Sequence, residues 1–240
     1  MKESIYTIPI SEVFEPRDSC PICRLRDILE ERCVEYITGA AMMEPDVREV
    51  TNRTGFCKFH FDKMLRVRNR LSLALILESH LDFLNHSLLE GKEGLFSKGK
   101  RAEKVKETAE SCYVCDTIQW AMDRMIDNLL KMWAGEEQFR TLYSQQPVIC
   151  LEHCGLLVQA AQQKLNKKQA PAFIEETYRI TRSYLAELKE DVTHFCRMFD
   201  YRNASAGADW GNSKDAIERA IWFLTSRRPE GLEESKKKGI

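Results

Sequence analysis

Apolar residues recur at steps of three and four along most of the chain, which is the spacing of one face of an α-helix. The clearest stretch follows His60 and ends at the glycines Gly91 and Gly94. It predicts one long helix whose buried face carries Val67, Leu71, Ala74, Leu77, Leu81, Leu84 and Leu88. The strict alternation of apolar and polar residues that marks a half-buried strand is almost absent. The pattern therefore predicts an all-α protein.

Further helices are predicted before and after this one. Ser19 and Ser111 have side chains suited to cap a helix N-terminus, and a long helix should follow each of them. Pro171 suits the first turn of another helix, which presents apolar residues from Phe173 to Phe199 on one face. These additional helices are expected at about residues 23–40, 45–51, 115–134, 136–143, 156–165, 171–199 and 214–225.

Charge and hydropathy narrow the class of protein. Lys and Arg number 36 and Asp and Glu number 37, so the formal net charge is −1. This balance argues against a surface built to hold nucleic acid or anionic membrane. The strongest apolar run in the long helix, residues 73–77, is far shorter than the about 20 residues of a membrane span. Residues 1–4 lack the apolar segment of a secretory signal, so we expect a cytoplasmic protein.

The nine cysteines carry the chemical information of this sequence. In a reducing compartment lasting disulfides are rare, and clustered thiols are read first as metal ligands. Six cysteines stand in short motifs of alternating type. In chain order these are CPIC at Cys20 and Cys23, CKFH at Cys57 and His60, CYVC at Cys112 and Cys115, and CLEH at Cys150 and His153.

The motifs form an internal repeat. A CxxC pair followed by a CxxH pair occurs twice, and corresponding ligands are separated by 92, 92, 93 and 93 residues. One inserted residue therefore aligns the two copies, and Arg48 and Arg140 fall at matching positions between the pairs. This agreement indicates a duplication of roughly 90 residues, the kind of period that repeat architectures show.

Each copy supplies three thiols and one imidazole, the donors of a closed tetrahedral zinc site. We therefore expect two zinc ions, one held by Cys20, Cys23, Cys57 and His60 and the other held by Cys112, Cys115, Cys150 and His153. Cys154 competes with His153 in the second set, but the matching residue of the first copy is Phe61, which favours the histidine. Iron or an iron–sulfur cluster is the alternative occupant, because cysteine and histidine also ligate iron.

A closed site leaves no position for an activated water, so the sequence favours a non-catalytic scaffold or interaction protein with a protein partner. Three other roles stay open. CPxC is shared with redox thiols, which allows a redox protein. Basic residues such as Arg66 and Arg68 allow a nucleic-acid-binding regulator. Arg48 and Arg140 could bind an anionic ligand in a cleft between the two modules, which allows an enzyme, or they could bond carbonyls or thiolates around the metals.

The repeat also predicts the domain organisation. We expect a first metal-clipped module at residues 1–91, a charged linker at 92–107, a second module at 108–202, and a C-terminal loop, helix and tail at 203–240. The two modules should pack into one bundle around a pseudo-two-fold axis.

The motifs resemble a bacterial and archaeal family catalogued only as a domain of unknown function. The resemblance covers nearly the whole chain, but Val148-Ile149 replaces the Gly-Phe expected before the second CxxH cysteine. It implies no activity, since the family has none assigned. It rests on Cys20-Pro21-Ile22-Cys23, Asp46-Val47-Arg48, the Gly55-Phe56-Cys57 segment through His60, the Cys112 and Cys115 pair, Asp200-Tyr201-Arg202, and a Trp-rich stretch at 209–222.

Overall fold

The computed structural model describes residues 8–90, 99–199 and 209–229. Across these residues the secondary structure is helical and contains no strand, which confirms the all-α prediction. The helices are α1 Ile8–Phe14, α2 Pro21–Thr38, α3 Pro45–Thr54, α4 Lys58–Arg66, α5 Arg70–Leu84, α6 Lys100–Glu110, α7 Tyr113–Gly135, α8 Glu137–Ser144, α9 Leu151–Lys164, α10 Gln169–Met198 and α11 Ala216–Thr225. Short 3₁₀ segments occupy Ala40–Met43 and Gly211–Asp215, and a π turn occupies Asn85–Leu89.

The chain forms two compact units that do not follow the expected sequential division. We call residues 26–123 the central unit, and residues 1–25 together with 124–240 the terminal unit. The terminal unit thus combines the two ends of the chain, and the central unit is one continuous segment. The pseudo-two-fold symmetry expected from the repeat stays a prediction.

An aromatic core holds the terminal unit together. Phe14 of α1 lies against Phe139 and Tyr143 of α8, with ring centroids 5.2 and 5.9 Å apart. Phe173 of α10 contacts Tyr143 at 5.0 Å and Trp133 of α7 at 5.1 Å. Phe139 and Tyr143 are four residues apart on α8, so both point to the same side of the helix. These rings join four helices around one buried centre.

The long helix α10 buries residues of the predicted face along its first two thirds. Phe173, Ile180 and Leu188 are buried, as expected. Thr177 and Thr181 share that buried side because their hydroxyls donate to the carbonyls of Phe173 and Ile149, at 2.8 and 3.2 Å. The predicted face does not extend to its end, since Phe199 is largely exposed.

The single long helix predicted after His60 is wrong. The chain forms α4 and then α5, separated by a turn in which Arg68 adopts a left-handed backbone with φ of +64°. Asn69 then caps α5, accepting a hydrogen bond from the backbone N–H of Ser72 at 3.3 Å. Its amide nitrogen also donates to the Thr38 carbonyl at 2.9 Å. These bonds fix a turn that periodicity does not register.

The predicted buried face of this segment is also wrong along α5, although Leu88, which follows that helix, is buried as expected. Leu71 and Leu81 are 69 % and 60 % exposed, whereas Leu73 and Ile76 are buried. Helix α5 packs against α3, and its polar residues set that orientation. Within these helices, Ser79 Oγ donates to Asn52 Oδ1 at 2.8 Å, and His80 Nδ1 lies 2.8 Å from the Asn52 carbonyl oxygen.

Other expectations have mixed outcomes. The short helices predicted near 45–51 and 136–143 are confirmed as α3 and α8. Most of the predicted linker at 92–107 that the structure describes is instead the helix α6. The Asp200-Tyr201-Arg202 motif and most of the predicted loop at 203–213 lie outside the described residues. No helix in the described ranges combines the length and the apolar character that crossing a membrane requires.

Candidate metal centres

All four Cys motifs lie at helix N-termini with the same local geometry. Cys57 and Cys150 are the N-cap residues of α4 and α9, with extended backbones at ψ of 161° and 163°. The carbonyls of Cys20 and Cys112 accept the first helical bonds of α2 and α7, from Arg24 at 3.2 Å and Asp116 at 3.1 Å. Each motif therefore places its first ligand at the cap and its second in the first turn. The N-terminal helix dipole at these positions favours negatively charged sulfur.

The predicted serine caps are wrong for this reason. The helices begin at Pro21 and Tyr113, so the cysteine rather than the preceding serine occupies the cap position. Ser111 instead ends α6, where its hydroxyl donates to the carbonyls of Thr54 and Thr108 at 2.6 and 2.9 Å.

One centre lies in the terminal unit and is formed by Cys20, Cys23, Cys150 and His153. We call it the outer centre because its ligands flank those of the other centre along the sequence. Its four ligand atoms lie within 4.8 Å of one another. His153 Nδ1 is 3.1 Å from Cys150 Sγ, 3.3 Å from Cys23 Sγ and 3.8 Å from Cys20 Sγ. The sulfurs of Cys23 and Cys150 are 3.6 Å apart.

The second centre lies in the central unit and is formed by Cys57, His60, Cys112 and Cys115, which we call the inner centre. His60 Nδ1 is 3.2 Å from Cys57 Sγ, 3.3 Å from Cys112 Sγ and 3.5 Å from Cys115 Sγ. The sulfurs of Cys57 and Cys115 are 3.9 Å apart. Both centres use the same histidine nitrogen and the same donor set.

The grouping expected from the sequence is wrong, although the eight residues do form two clusters. The CxxC pair of each copy meets the CxxH pair of the other copy, so the sites are nested along the chain instead of consecutive. The spacing within each motif shows which two ligands share a helical turn. It does not show whether a CxxC pair meets the CxxH pair of its own copy or of the other copy. Tertiary packing makes the choice, and α2 contributes because it runs from Pro21 to Thr38 and so carries the chain about 22 Å beyond Cys23.

His153, and not Cys154, belongs to the outer centre. The Cys154 thiol is buried, and burial raises its pKa. Since Cys154 follows the first-turn histidine by one residue, its side chain lies about 100° further around α9. The helix geometry therefore supports His153 as the ligand, as does the alignment of Cys154 with Phe61.

The two centres differ in burial. In the outer centre Cys20 and Cys150 are 0 % exposed, and Cys23 and His153 are buried. In the inner centre His60 and Cys112 are buried, but Cys57 is half-buried and Cys115 is exposed. One edge of the inner centre is therefore open to solvent.

Ionisation in the outer centre is unequal among its thiols. Burial alone raises the pKa of the Cys20 thiol, but hydrogen bonds with Cys150, Cys23 and His153 bring that pKa well below its ordinary value. Hydrogen bonding to Cys20 raises the pKa of Cys150 to about 12, and hydrogen bonding to Cys150 raises that of Cys23 further. The negative charge of one thiolate thus suppresses ionisation of the neighbouring thiols. A cation bound among the sulfurs would stabilise the thiolate form of all of them.

Ionisation is also unequal among the thiols of the inner centre. Burial opposes ionisation of Cys112, but hydrogen bonding with His60 lowers the pKa of this thiol to about 6. Burial opposes protonation of His60, but hydrogen bonds to Cys112 and Glu30 raise the pKa of His60 to about 9. Burial and the Cys112 charge raise the pKa of Cys115. Without a metal, the proton on the imidazole compensates the single thiolate.

A buried carboxylate that the sequence analysis missed supports the inner centre. Glu30 of α2 is 1 % exposed, and its Oε1 lies 3.1 Å from His60 Nε2. Lys63 forms an ion pair with the other oxygen of Glu30. A carboxylate on the far nitrogen fixes the orientation of a ligating imidazole and raises its basicity. Lys63 follows His60 by three residues on a helix, which was the available signal, but nothing in the motifs points to Glu30.

The outer centre has a different neighbour. Cys23 Sγ lies 3.7 Å from the carbonyl oxygen of Ser226, which ends α11 with a left-handed backbone. Ser226 is 1 % exposed, and its hydroxyl bonds the Glu152 carboxylate. In the described residues, no carboxylate bonds His153 as Glu30 bonds His60. The end of α11 thus closes the outer centre with peptide groups.

The paired arginines occupy equivalent backbone positions but make different side-chain contacts. Each is the fourth residue of its helix, and their backbone N–H groups donate to the carbonyls of Glu44 and Glu136. Arg48 donates to the carbonyls of Met42 and Leu75, at 3.3 and 3.0 Å, which ties α3 to its neighbours. Arg140 is exposed on α8. Among the described contacts, neither guanidinium reaches a sulfur of the two centres.

Comparison with known proteins gives the family. No match to the chain was found among curated proteins or among solved structures. A family model described as a family of unknown function, DUF6062, matches residues 1–231. These residues include all eight ligands of both centres, in agreement with the resemblance drawn from the motifs. The chain therefore belongs to the DUF6062 family.

Proposed function

We propose that this protein binds two zinc ions at structural Cys₃His sites, one in each unit, and that these ions hold together a non-catalytic helical scaffold. The observation that carries the proposal is the convergence of three thiols and one imidazole nitrogen within 4.8 Å, twice in one chain.

The spacing of the donors suits zinc. Zinc–sulfur bonds of about 2.3 Å and zinc–nitrogen bonds of about 2.0 Å in a tetrahedron require donor separations of about 3.5 to 3.8 Å. Of the donor pairs described above, Cys150 Sγ and His153 Nδ1 are closest, at 3.1 Å, and the sulfurs of Cys57 and Cys115 are farthest apart, at 3.9 Å. Zinc has no geometric preference from its d-electrons and accepts this mixed soft donor set.

A structural role follows from the completeness of each donor set. Four protein ligands leave no coordination position for water or substrate, which is the character of structural zinc sites. Three thiolates around Zn²⁺ carry a formal charge of −1, and the two helix N-termini at each centre offset that charge. Metal binding then supplies free energy directly to folding.

Elemental analysis together with a visible spectrum tests this proposal on untagged protein. We expect two zinc ions per chain and no visible absorbance. Cys150→Ser should reduce the zinc content by one, and Cys154→Ser is the matched control that should retain both ions. Iron in place of zinc, with a coloured protein, would establish the iron or iron–sulfur alternative. A metal-free wild type would refute the proposal.

We also place the protein in the cytoplasm and propose a protein partner in preference to nucleic acid. All nine cysteines lie in the described residues and none of them forms a disulfide there, which suits a reducing compartment. The balance of 36 basic and 37 acidic residues offers no general attraction for polyanions. Subcellular fractionation of the native protein checks the location.

The exposed apolar side chains of α5 support the partner. Leu71 and Leu81 are largely exposed, and large apolar side chains open to solvent are available for contact with a partner protein. The double variant Leu71→Glu and Leu81→Glu should keep both zinc ions and lose a partner that the wild type retains in a parallel affinity capture. Identical capture by the two proteins would contradict the assignment of this face.

A further inference from the structure

We infer that the inner centre is a modification site for hydroperoxides, at which Cys57 and Cys115 are oxidised to a disulfide and the metal is released while the outer centre keeps its own. This inference rests on the proposed binding of two zinc ions and adds a chemical difference between the two sites.

The geometry places two oxidisable sulfurs on the open side of the inner centre. Cys115 is exposed, Cys57 is half-buried, and their sulfurs are 3.9 Å apart. The other two ligands, Cys112 and His60, are buried behind them. A small oxidant can therefore reach this edge directly, and the two sulfurs that it reaches already lie side by side.

The outer centre supplies the internal contrast. It has the same three thiols and one imidazole, but Cys20 and Cys150 have no exposed surface, and the Ser226 carbonyl lies against Cys23. Susceptibility of cysteine to oxidation follows thiolate character and exposure. Because metal coordination makes the thiolate character similar at both centres, exposure decides which one reacts.

The reaction balances with one hydroperoxide. The Cys115 thiolate attacks an oxygen of hydrogen peroxide, the O–O bond breaks, and a sulfenic acid and a hydroxide ion result, which solvent protonates to water. The Cys57 thiolate then attacks the sulfenic sulfur, which forms the S–S bond and expels a second hydroxide. In sum, two thiolates, one hydrogen peroxide and two protons give one disulfide and two waters.

Loss of two of four donors leaves only Cys112 and His60 for the metal, so Zn²⁺ departs. Contacts that do not depend on the metal persist in the central unit. These include the Glu30 to His60 bond at 3.1 Å and the backbone bond from Tyr113 N–H to the Gly55 carbonyl at 3.0 Å. These contacts favour renewed approach of the two motifs, so a dithiol reductant with added zinc should restore the centre.

The test uses the full chain, with its zinc content counted first and a chromogenic zinc chelator reporting release. Near-stoichiometric hydrogen peroxide should release one zinc per chain, and peptide mass spectrometry should find the Cys57–Cys115 disulfide. The second ion should remain until the protein is denatured. Release of both ions together, release of neither, or a disulfide within the outer centre would overturn the inference. An initial count other than two would instead refute the proposed function.

Two variants sharpen the assignment. Cys115→His retains a zinc ligand but removes the oxidisable sulfur, so it should bind two ions and lose at least tenfold in the rate of peroxide-triggered release. Cys196→Ser removes an exposed thiol outside both centres and should release zinc at the wild-type rate. If Cys115→His binds one ion only, disulfide mapping in the wild type decides the matter. A slowed Cys196→Ser variant would contradict the inference.

Discussion

The outer and inner centres have the same ligands in the same local geometry, yet they differ in what surrounds them. Each joins a CxxC pair to a CxxH pair at the starts of two helices. The outer centre is enclosed and abuts a peptide carbonyl at Ser226, whereas the inner centre is open at Cys115 and is supported by the Glu30 carboxylate. Identical motifs therefore do not imply identical chemistry, because burial and neighbouring charges determine stability and reactivity.

The largest expected difference between the centres lies in the effect of losing a ligand. Cys150→Ser leaves two thiols and an imidazole in an enclosed site that water cannot easily complete. We expect it to lose its zinc and to unfold the terminal unit, since structural zinc supplies about 10 kcal/mol or more and whole domains have only about 5 to 15 kcal/mol.

Cys115→Ser is the matched change at the inner centre. Water can serve as fourth ligand at this exposed position, so we expect the central unit to remain folded with weakened zinc binding. Circular dichroism melts and zinc counts on both variants measure the difference. Equal damage from the two substitutions would show that exposure does not separate the centres.

Division of the chain tests whether the centres are nested. We expect fragments 1–94 and 95–240 to bind two zinc ions only when combined, because each centre takes one pair from each fragment. Size-exclusion chromatography with elemental analysis should show a one-to-one complex that carries both metals. A monomeric fragment that binds one zinc tightly by itself would favour the consecutive grouping, and the intact chain is the reference.

The two centres also show which features of a metal site can be predicted from the sequence alone. The eight ligands are identifiable because CxxC and CxxH are local patterns, each confined to one helical turn. Which CxxC pair meets which CxxH pair depends on packing between helices far apart in the sequence. Cys23 and Cys150 are 127 residues apart and Cys57 and Cys115 are 58 residues apart, so no local pattern encodes the pairing.

The same limit explains the errors at α5 and at the supporting residues. Leu71 and Leu81 match the helical period, but the turn at Arg68 and the polar bonds to Asn52 rotate a different face inward. Glu30 is one of 37 acidic residues, and only its burial beside His60 distinguishes it.

Glu30→Gln tests the carboxylate that only the inner centre has. An amide holds the imidazole less strongly and does not raise its basicity, so zinc affinity of the inner centre should fall by about 10- to 100-fold. The outer centre should be unaffected. Competition with a chelator of known affinity measures both sites in one titration. Glu31→Gln changes an exposed carboxylate on the same helix and should leave both affinities unchanged; an equal effect would assign the loss to general charge.

The smallest effect concerns a glycine beside the inner centre and one within the outer centre's helix. Gly55 has φ of +61°, and a Cβ there would lie 2.8 Å from His80 Nε2, whose ring is bonded to the Asn52 carbonyl. Gly55→Ala should destabilise the central unit by about 1 to 2 kcal/mol for the left-handed backbone, with a further loss from the displaced ring.

Gly155 lies in α9 with open space around its Cα, so Gly155→Ala should stabilise that helix by about 0.5 to 1 kcal/mol. Opposite shifts in thermal unfolding are the expected result. A harmless Gly55→Ala would mean that the approach of His80 does not constrain the start of the CxxH motif.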